Sequence, residues 1–200
     1  MDFSILKQNL ENKRYVVKTF ENSSDAVNYL KNEIIGKTVG IGGSVTVDEM
    51  GLFDAIKDQN QVFWHWKDKS NLSWAETLHN ASLAEIYITS ANGVAETGEI
   101  INIDGTGNRI AATMFGHKKV YFIIGKNKIE KTYDEALYRA RNIAGPMNAK
   151  RLNKETPCVK LGKCIDCNAP QRICRGLFTL WQKPTSYECE VVLINENLGY

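Results

Sequence analysis

The chain has 200 residues, 43% hydrophobic and 24% charged, which is enough apolar material for one good core or two unequal ones. Its net charge of +2 creates no demand for nucleic acid or an acidic membrane as partner. No apolar run approaches the roughly 18 residues of a membrane span. The opening MDFSILKQNLENKRY shows neither an apolar signal core nor a small-residue cleavage site, so a cytoplasmic protein is expected.

Two periods alternate along the chain. Residues 2–13 place Phe3, Leu6 and Leu10 at helical spacing, and YVVKTF (15–20) is β-branched and aromatic, hence a strand. A helix over 23–34 opens on serines and carries Ala26, Val27, Leu30 and Ile34 on one side. KTVGIGG (37–43) reads as a buried strand running into glycines. One helix is predicted over 47–59, with Met50, Phe53 and Ile56 aligned. A strand at 61–66, a helix at 73–83 and a strand at 85–92 follow, then strands at 98–104 and 119–125. A helix over 132–145 begins at Thr132 and is expected to close at Gly145-Pro146; residues 188–196 form the last strand.

Strands alternating with helices imply crossover units and a mainly parallel sheet covered on both faces. VYFIIG and VVLIN are near-continuous apolar runs, as buried parallel strands require. Composition shifts after Gly145. Residues 145–184 hold eight basic side chains (Lys150, Arg151, Lys154, Lys160, Lys163, Arg172, Arg175 and Lys183) against Glu155 and Asp166. The expected organisation is therefore an α/β domain over 1–145, completed by a strand at 186–196, with 146–184 as a basic, cysteine-bearing appendage.

Two glycine-rich stretches at strand ends carry chemistry. GIGGS (40–44) stands between a strand and a helix, where glycines let a backbone approach a ligand and the next helix offers free N–H groups to an anion; a plain tight turn is the alternative. SANGVAETGEIINIDGTGNR (90–109) brackets a strand with Glu96 and Asp104 and ends in Asn108-Arg109. Arg109 is suited to clamp a carboxylate or phosphate, Asp104 to orient it, and Glu96 to act as acid, base or nucleophile; a polar hairpin is the alternative. Position 110 is Ile, so Gly105-Thr106-Gly107 lacks the third glycine of a dinucleotide fingerprint. Of the histidines, His65 in FWHW is expected to pack among aromatics, His79 falls late in a helix, and His117 follows a loop glycine.

Four of the five cysteines crowd into 17 residues, spaced Cys158-x5-Cys164-x2-Cys167-x6-Cys174. A C-x2-C pair can turn two sulfurs to one centre, and two more thiolates complete four ligands. Lys160, Lys163, Arg172 and Arg175 would offset the thiolate charge. An iron–sulfur cluster, a zinc ion, or free thiols and a redox pair all remain open, with iron–sulfur favoured. Cys189 alternates within the last strand and reads as core.

The stretches TSANGVAETGEIINIDGTGNRIAATMFGHKKVYFIIGKNKI and IAGPMNAKRLNKETPCVKLGKCIDCNAPQRICR, together with the ending VVLINENLGY, closely resemble the signature of the lactate-utilisation (LUD) domain family. That resemblance, from about Lys37 onward, implies a three-layer α/β/α sandwich like the sugar-phosphate isomerase and CoA-transferase superfamily. It also implies work with iron–sulfur or electron-transfer partners in oxidising lactate to pyruvate, and a small anionic ligand. Residue by residue, the family's glycine turn maps to Gly42, Gly43 and Ser44, and its TG segment to Glu96, Thr97 and Gly98. Its DGTGNR loop maps to Asp104, Gly105, Gly107, Asn108 and Arg109, its NK pair to Asn127 and Lys128, and its cysteine tail to Cys158, Cys164, Cys167 and Cys174. His117 stands where the family is expected to have proline. Glu96 and Asp104 are the catalytic expectations by analogy. The second class of function is a phosphosugar- or CoA-type enzyme, or a ligand sensor, with structural zinc; a homo-oligomer is compatible with either.

Overall fold

The computed structural model describes residues 1–67 and 71–200. Helix α1 (Ser4–Asn12) buries Leu6 and Leu10 and leads into strand β1 (Val16–Phe20). Helix α2 (Ser23–Glu33) starts where the Asn22 side chain accepts from the Asp25 N–H, satisfying one of the helix's free donors. Strand β2 (Thr38–Ile41) follows. The predicted helix over 47–59 is two short ones, α3 (Val45–Glu49) and α4 (Leu52–Ile56), because Gly51 takes φ +67° between them. Strand β3 (Gln61–Phe63) precedes α5 (Trp74–Leu83), which opens on a reciprocal Ser73–Glu76 capping box.

Strand β4 (Ile86–Thr89) is followed by a hairpin of β5 (Gly93–Ala95) and β6 (Ile100–Asp104), then α6 (Asn108–Met114), β7 (Lys119–Gly125) and the short β8 (Ile129–Glu130). Helix α7 (Tyr133–Arg139), capped by the Thr132–Glu135 box, does not stop at Gly145-Pro146. It widens into a π-helical turn over Ala140–Ala144 and continues as α8 (Gly145–Arg151). The Gly145 N–H already reaches back to Ala140 O across that turn, and Pro146, which has no N–H to give, is accommodated at the first turn of α8. Helix α9 (Pro157–Leu161), strand β9 (Gly176–Leu180) and strand β10 (Glu188–Ile194) complete the described elements.

Six strands form the main sheet in the order β1-β10-β7-β4-β2-β3, every pairing parallel. Both faces are covered, giving the three-layer α/β/α sandwich. The apolar runs are divided by the strand's two-residue period. In β7, Val120, Phe122 and Ile124 join one core with α1, while Tyr121 and Ile123 join the other with α2, α3 and α4. Continuous hydrophobicity in these strands thus reports two buried faces.

A second, four-stranded sheet, ordered β8-β5-β6-β9, was not announced by the sequence pattern. Val94, Ile100 and Leu180 pack toward the main sheet, and Ala95 and Ile101 pack against Ala136 and Ala140 of the long helix. Its outer strand β9 pairs antiparallel with β6, so part of the segment 146–184 is woven into this sheet.

Gly40 sits where α5 crosses β2: a Cβ there would run into the main-chain oxygen of Ala81. Gly40→Ala is expected to destabilise the fold by about 1–3 kcal/mol. Urea denaturation checks this, and an unchanged midpoint would mean that α5 does not press on the strand.

Candidate functional site

In an open parallel sheet the carboxyl ends of the strands share one edge, where loops diverge and leave a crevice. Here the chain leaving β2 (Gly43, Ser44), β4 (Ser90–Asn92), β6 (Asp104–Thr106) and β7 (Lys128) lines one cavity of about 720 Å³. Asn108 and Arg109 of α6, Asn148 and Arg151 of α8, and residues 170–175 of the cysteine segment close it. His65, Trp66 and Trp74 form an aromatic wall.

The loop after β6 is organised by one carboxylate. Asp104 Oδ1 accepts from the Gly105 N–H at 2.8 Å, and Oδ2 accepts from Arg109 N at 3.0 Å and Ile110 N at 3.4 Å. These charge-assisted bonds hold the first turn of α6, which Gly107 enters at φ +88°. The Arg109 guanidinium is steadied from both sides: Nη2 donates to Ile103 O at 2.7 Å and lies 3.5 Å from Asp104 Oδ1. Gly42 makes room for that side chain, since a Cβ there would meet Arg109 Cγ at 2.8 Å and Tyr87 Oη at 2.9 Å. Gly43 does the same for Trp66, whose ring would lie 3.2 Å from an added Cβ. The glycines of GIGGS therefore admit side chains of the site. Helix α3 behind them has five residues, and its cap Ser44 Oγ is engaged with Val47 N, so anion recognition falls on the cationic side chains.

Lys128 is 4% exposed, and its ammonium donates to the main-chain oxygens of Ala91 at 3.1 Å and Tyr200 at 3.2 Å. Burial, reinforced by Arg139 and Arg109 and opposed by Glu49, pulls its pKa down to about 7. His65 is likewise held below its usual value, first by burial and then by Arg109, with Asp104 opposing. Among the described residues its Nδ1 has no hydrogen-bond partner. The Arg151 guanidinium lies 4.6 Å over the Trp66 ring and donates to Tyr200 Oη at 2.7 Å. Lys154, Arg172 and Arg175 add positive charge to the lining, against Asp104 as its carboxylate.

The sequence profile of the LUD domain matches residues 4–194. The chain belongs to the LUD domain family. This family is associated with lactate utilisation. The LUD chain is also similar to the crystal structure of a DUF162 family protein from Deinococcus radiodurans, at 11% identity, with a TM-score of 0.53 over 97% of this chain and 99% of that one, a likeness of fold. Among curated proteins none matches the sequence.

Within this LUD domain the other motif residues are scattered. Glu96, Thr97 and Gly98 occupy the far turn of the β5–β6 hairpin, away from the cavity. There Asn9 Nδ2 donates to Glu96 O at 2.7 Å, the Thr97 hydroxyl donates to Glu99, and Gly98 (φ +97°) faces Lys13, which pairs with Glu99 at 2.9 Å. This cluster ties α1 to the hairpin, and it does not bring Glu96 to the chemistry expected of it. Asp104 does line the cavity, but its oxygens are committed to the loop, which makes it a positioning residue for Arg109. Asn127 fastens the chain end, donating to Gly199 O and accepting from Leu198 N. His117 is buried, with Nδ1 2.6 Å from Ala84 O and its ring stacked on Tyr87. Gly105 lies against the cysteine segment, because an added Cβ would collide with Ile173 O.

The four clustered cysteines are all free and half-buried, and they line a second pocket of about 280 Å³. Among the described residues, no three Cys, His, Asp or Glu side chains form a group that could hold a single metal ion. Among the described residues, no helix is long and apolar enough to cross a membrane.

Trp66, Trp74, Arg151 and Tyr200 also reach the cavity, although none of them was a candidate site residue in the sequence. Asp104→Ala strands three backbone donors and is expected to cost about 1.5–3 kcal/mol of stability. Chemical denaturation checks this, and a loss below roughly 0.5 kcal/mol would deny the carboxylate its organising role.

Proposed function

We propose that the protein is a lactate-utilisation-type component that binds a small carboxylate in the strand-end cavity and serves its iron–sulfur-dependent oxidation. One observation carries the reading. Arg109 and Lys128 converge on a cavity whose carboxylate, Asp104, has both oxygens committed to backbone donors. An anion entering there meets two cations, Lys128 and an Arg109 that Asp104 already holds in place at 3.5 Å. For a 2-hydroxy acid, oxidation to the 2-oxo acid releases two electrons and two protons. Neutral His65 stands in the wall as an acceptor for the hydroxyl proton. The second proton comes from the Cα–H bond and passes to solvent, and an iron–sulfur centre, in this chain or in an electron-transfer partner, would take the electrons one at a time, two oxidised centres being reduced for each hydroxy acid.

A second reading has its own support. A cavity of about 720 Å³ is far larger than lactate and suits a drug-sized ligand. A phosphosugar or CoA-type ligand would fill it, with the phosphate at the same cations and the remainder along Trp66 and Trp74. Calorimetric titration with L-lactate, pyruvate and a panel of sugar phosphates separates the two. Tighter binding of a sugar phosphate than of either carboxylate would overturn the first reading.

Two further outcomes are expected. Arg109→Gln weakens carboxylate binding by about 1.5–3 kcal/mol, the scale of a charge-assisted contact, as read by the same titration. Binding also follows the charge on Lys128. A bound anion raises the lysine's pKa, so affinity is highest below about pH 7 and falls as the pH rises above it. Lys128→Met removes that slope; a slope unchanged in the variant would assign it to another group.

A further inference from the structure

Lys128 is a buried amine with no acidic side chain to pair with. It stands in the short turn after β7, which is held on both sides: Asn127 bonds to Leu198 and Gly199, and Arg139 donates to Asn127 O at 2.6 Å. From that turn the side chain reaches the strand-end cavity, where its ammonium donates to Ala91 O at 3.1 Å and Tyr200 O at 3.2 Å. Among the described residues no Asp or Glu side chain forms an ion pair with it.

Lys119 shows the contrast. Its ammonium meets the Glu190 carboxylate at 2.9 Å and lies 4.5 Å over the Tyr121 ring. Burial works against that charge, but the contacts with Tyr121 and Glu190 outweigh it and push the pKa up. An amine paired in this way stays protonated and is inert toward carbon. At Lys128 burial acts with Arg139 and Arg109 beside it, opposed by Glu49, so charged and neutral amine coexist near pH 7. A desolvated amine next to other cations is what a carbonyl-capturing lysine requires.

The anion site would deliver the carbonyl. A 2-oxo acid whose carboxylate meets Arg109 at the Lys128 end of the cavity carries its C2 carbonyl one bond away from that carboxylate, within reach of the amine. A 2-hydroxy acid meets the same groups but offers no electrophilic carbon. Protonated, Lys128 holds an anion; neutral, it attacks.

We propose that Lys128 captures the carbonyl of a 2-oxo acid held at Arg109, forming an imine. The inference rests on the anion-site reading above and gives that site a second chemistry. The amine nitrogen bonds to C2, the carbonyl π pair moves to oxygen, and the oxygen takes a proton to become a hydroxyl. The C2–O bond then breaks, the hydroxyl leaves as water with a second proton, and the nitrogen lone pair completes the C=N bond. Both protons come from the attacking nitrogen. Amine plus ketone gives imine plus water, and no oxidant or reductant enters. His65, on the lining with Nδ1 unpartnered among the described residues, carries the proton from nitrogen to oxygen.

Reductive trapping tests this. The full chain is incubated at neutral pH with pyruvate and sodium cyanoborohydride, digested, and mapped by mass spectrometry. The expected result is a reduced pyruvyl adduct on Lys128 at roughly tenfold or more the occupancy of exposed Lys131 and Lys160, because binding concentrates the carbonyl at one amine. Arg109→Gln should lower the Lys128 adduct roughly tenfold or more, with circular dichroism confirming the fold. Cys174, in the partition between this cavity and the cysteine pocket, is another nucleophile on the lining. A thiol adduct of a ketone has no C=N bond for hydride to reduce, so the trapped mass reports amines alone. Adducts spread over the lysines without an excess at Lys128, or concentrated on Lys154 of the same lining, overturn the proposal. So does a Lys128 adduct that Arg109→Gln leaves unchanged. No adduct where calorimetry shows pyruvate bound overturns the capture alone. Neither bound pyruvate nor adduct overturns the anion site and the capture with it.

Discussion

The site depends on where one carboxylate spends its lone pairs. Asp104 ends strand β6 and gathers the N–H groups of Gly105, Arg109 and Ile110, which fixes both the loop and the start of α6. That fixed turn throws the Arg109 side chain back across the end of β2, into space that exists because position 42 is glycine. A residue without a side-chain acceptor at position 104 would leave the backbone donors unpaired and the guanidinium without its carboxylate contact. Cap, glycine and arginine thus act as one unit, although Gly42 lies far along the chain from the loop that carries Asp104 and Arg109.

The parallel sheet makes that unit possible. Because β2, β4 and β7 run in one direction, the chain segments leaving them emerge on one edge, which β6 of the smaller sheet also reaches. The long helix with its π turn crosses above the smaller sheet and carries Arg151 to one side of the partition and Arg141 to the other. Arg139, within the same helix, donates to Asn127 O and Asn92 O and so braces the strand ends that hold Lys128. Stability and function meet in this helix: it covers the second sheet and also divides the two pockets.

The main sheet was legible because burial on both faces leaves an unmistakable mark. VYFIIG and VVLIN have no polar side, and only a doubly covered parallel strand requires that. The glycine stretches were legible as strand-end loops for a similar reason, since a buried strand that stops at glycines must turn there. What stayed hidden was tertiary. Glu96 and Asp104 flank the same strand, and sequence alone does not distinguish the end of a hairpin that faces a cavity from the end that faces α1. Strands β5, β8 and β9 have three, two and five residues, too short or too mixed to show a period. Helix α6 follows a glycine at positive φ inside what read as a polar turn. Trp66 and Arg151 join the site through a stacking contact between residues far apart in the chain, which no local pattern records.

The central claim is that a small carboxylate is held between Arg109 and Lys128 at the strand ends. A crystal structure of the protein grown with L-lactate tests it most directly. The account predicts the lactate carboxylate within hydrogen-bond distance, about 2.7–3.2 Å, of both the Arg109 guanidinium and Lys128 Nζ, with its hydroxyl turned toward His65. Lactate bound elsewhere, with this cavity filled by water at saturating ligand, would contradict it.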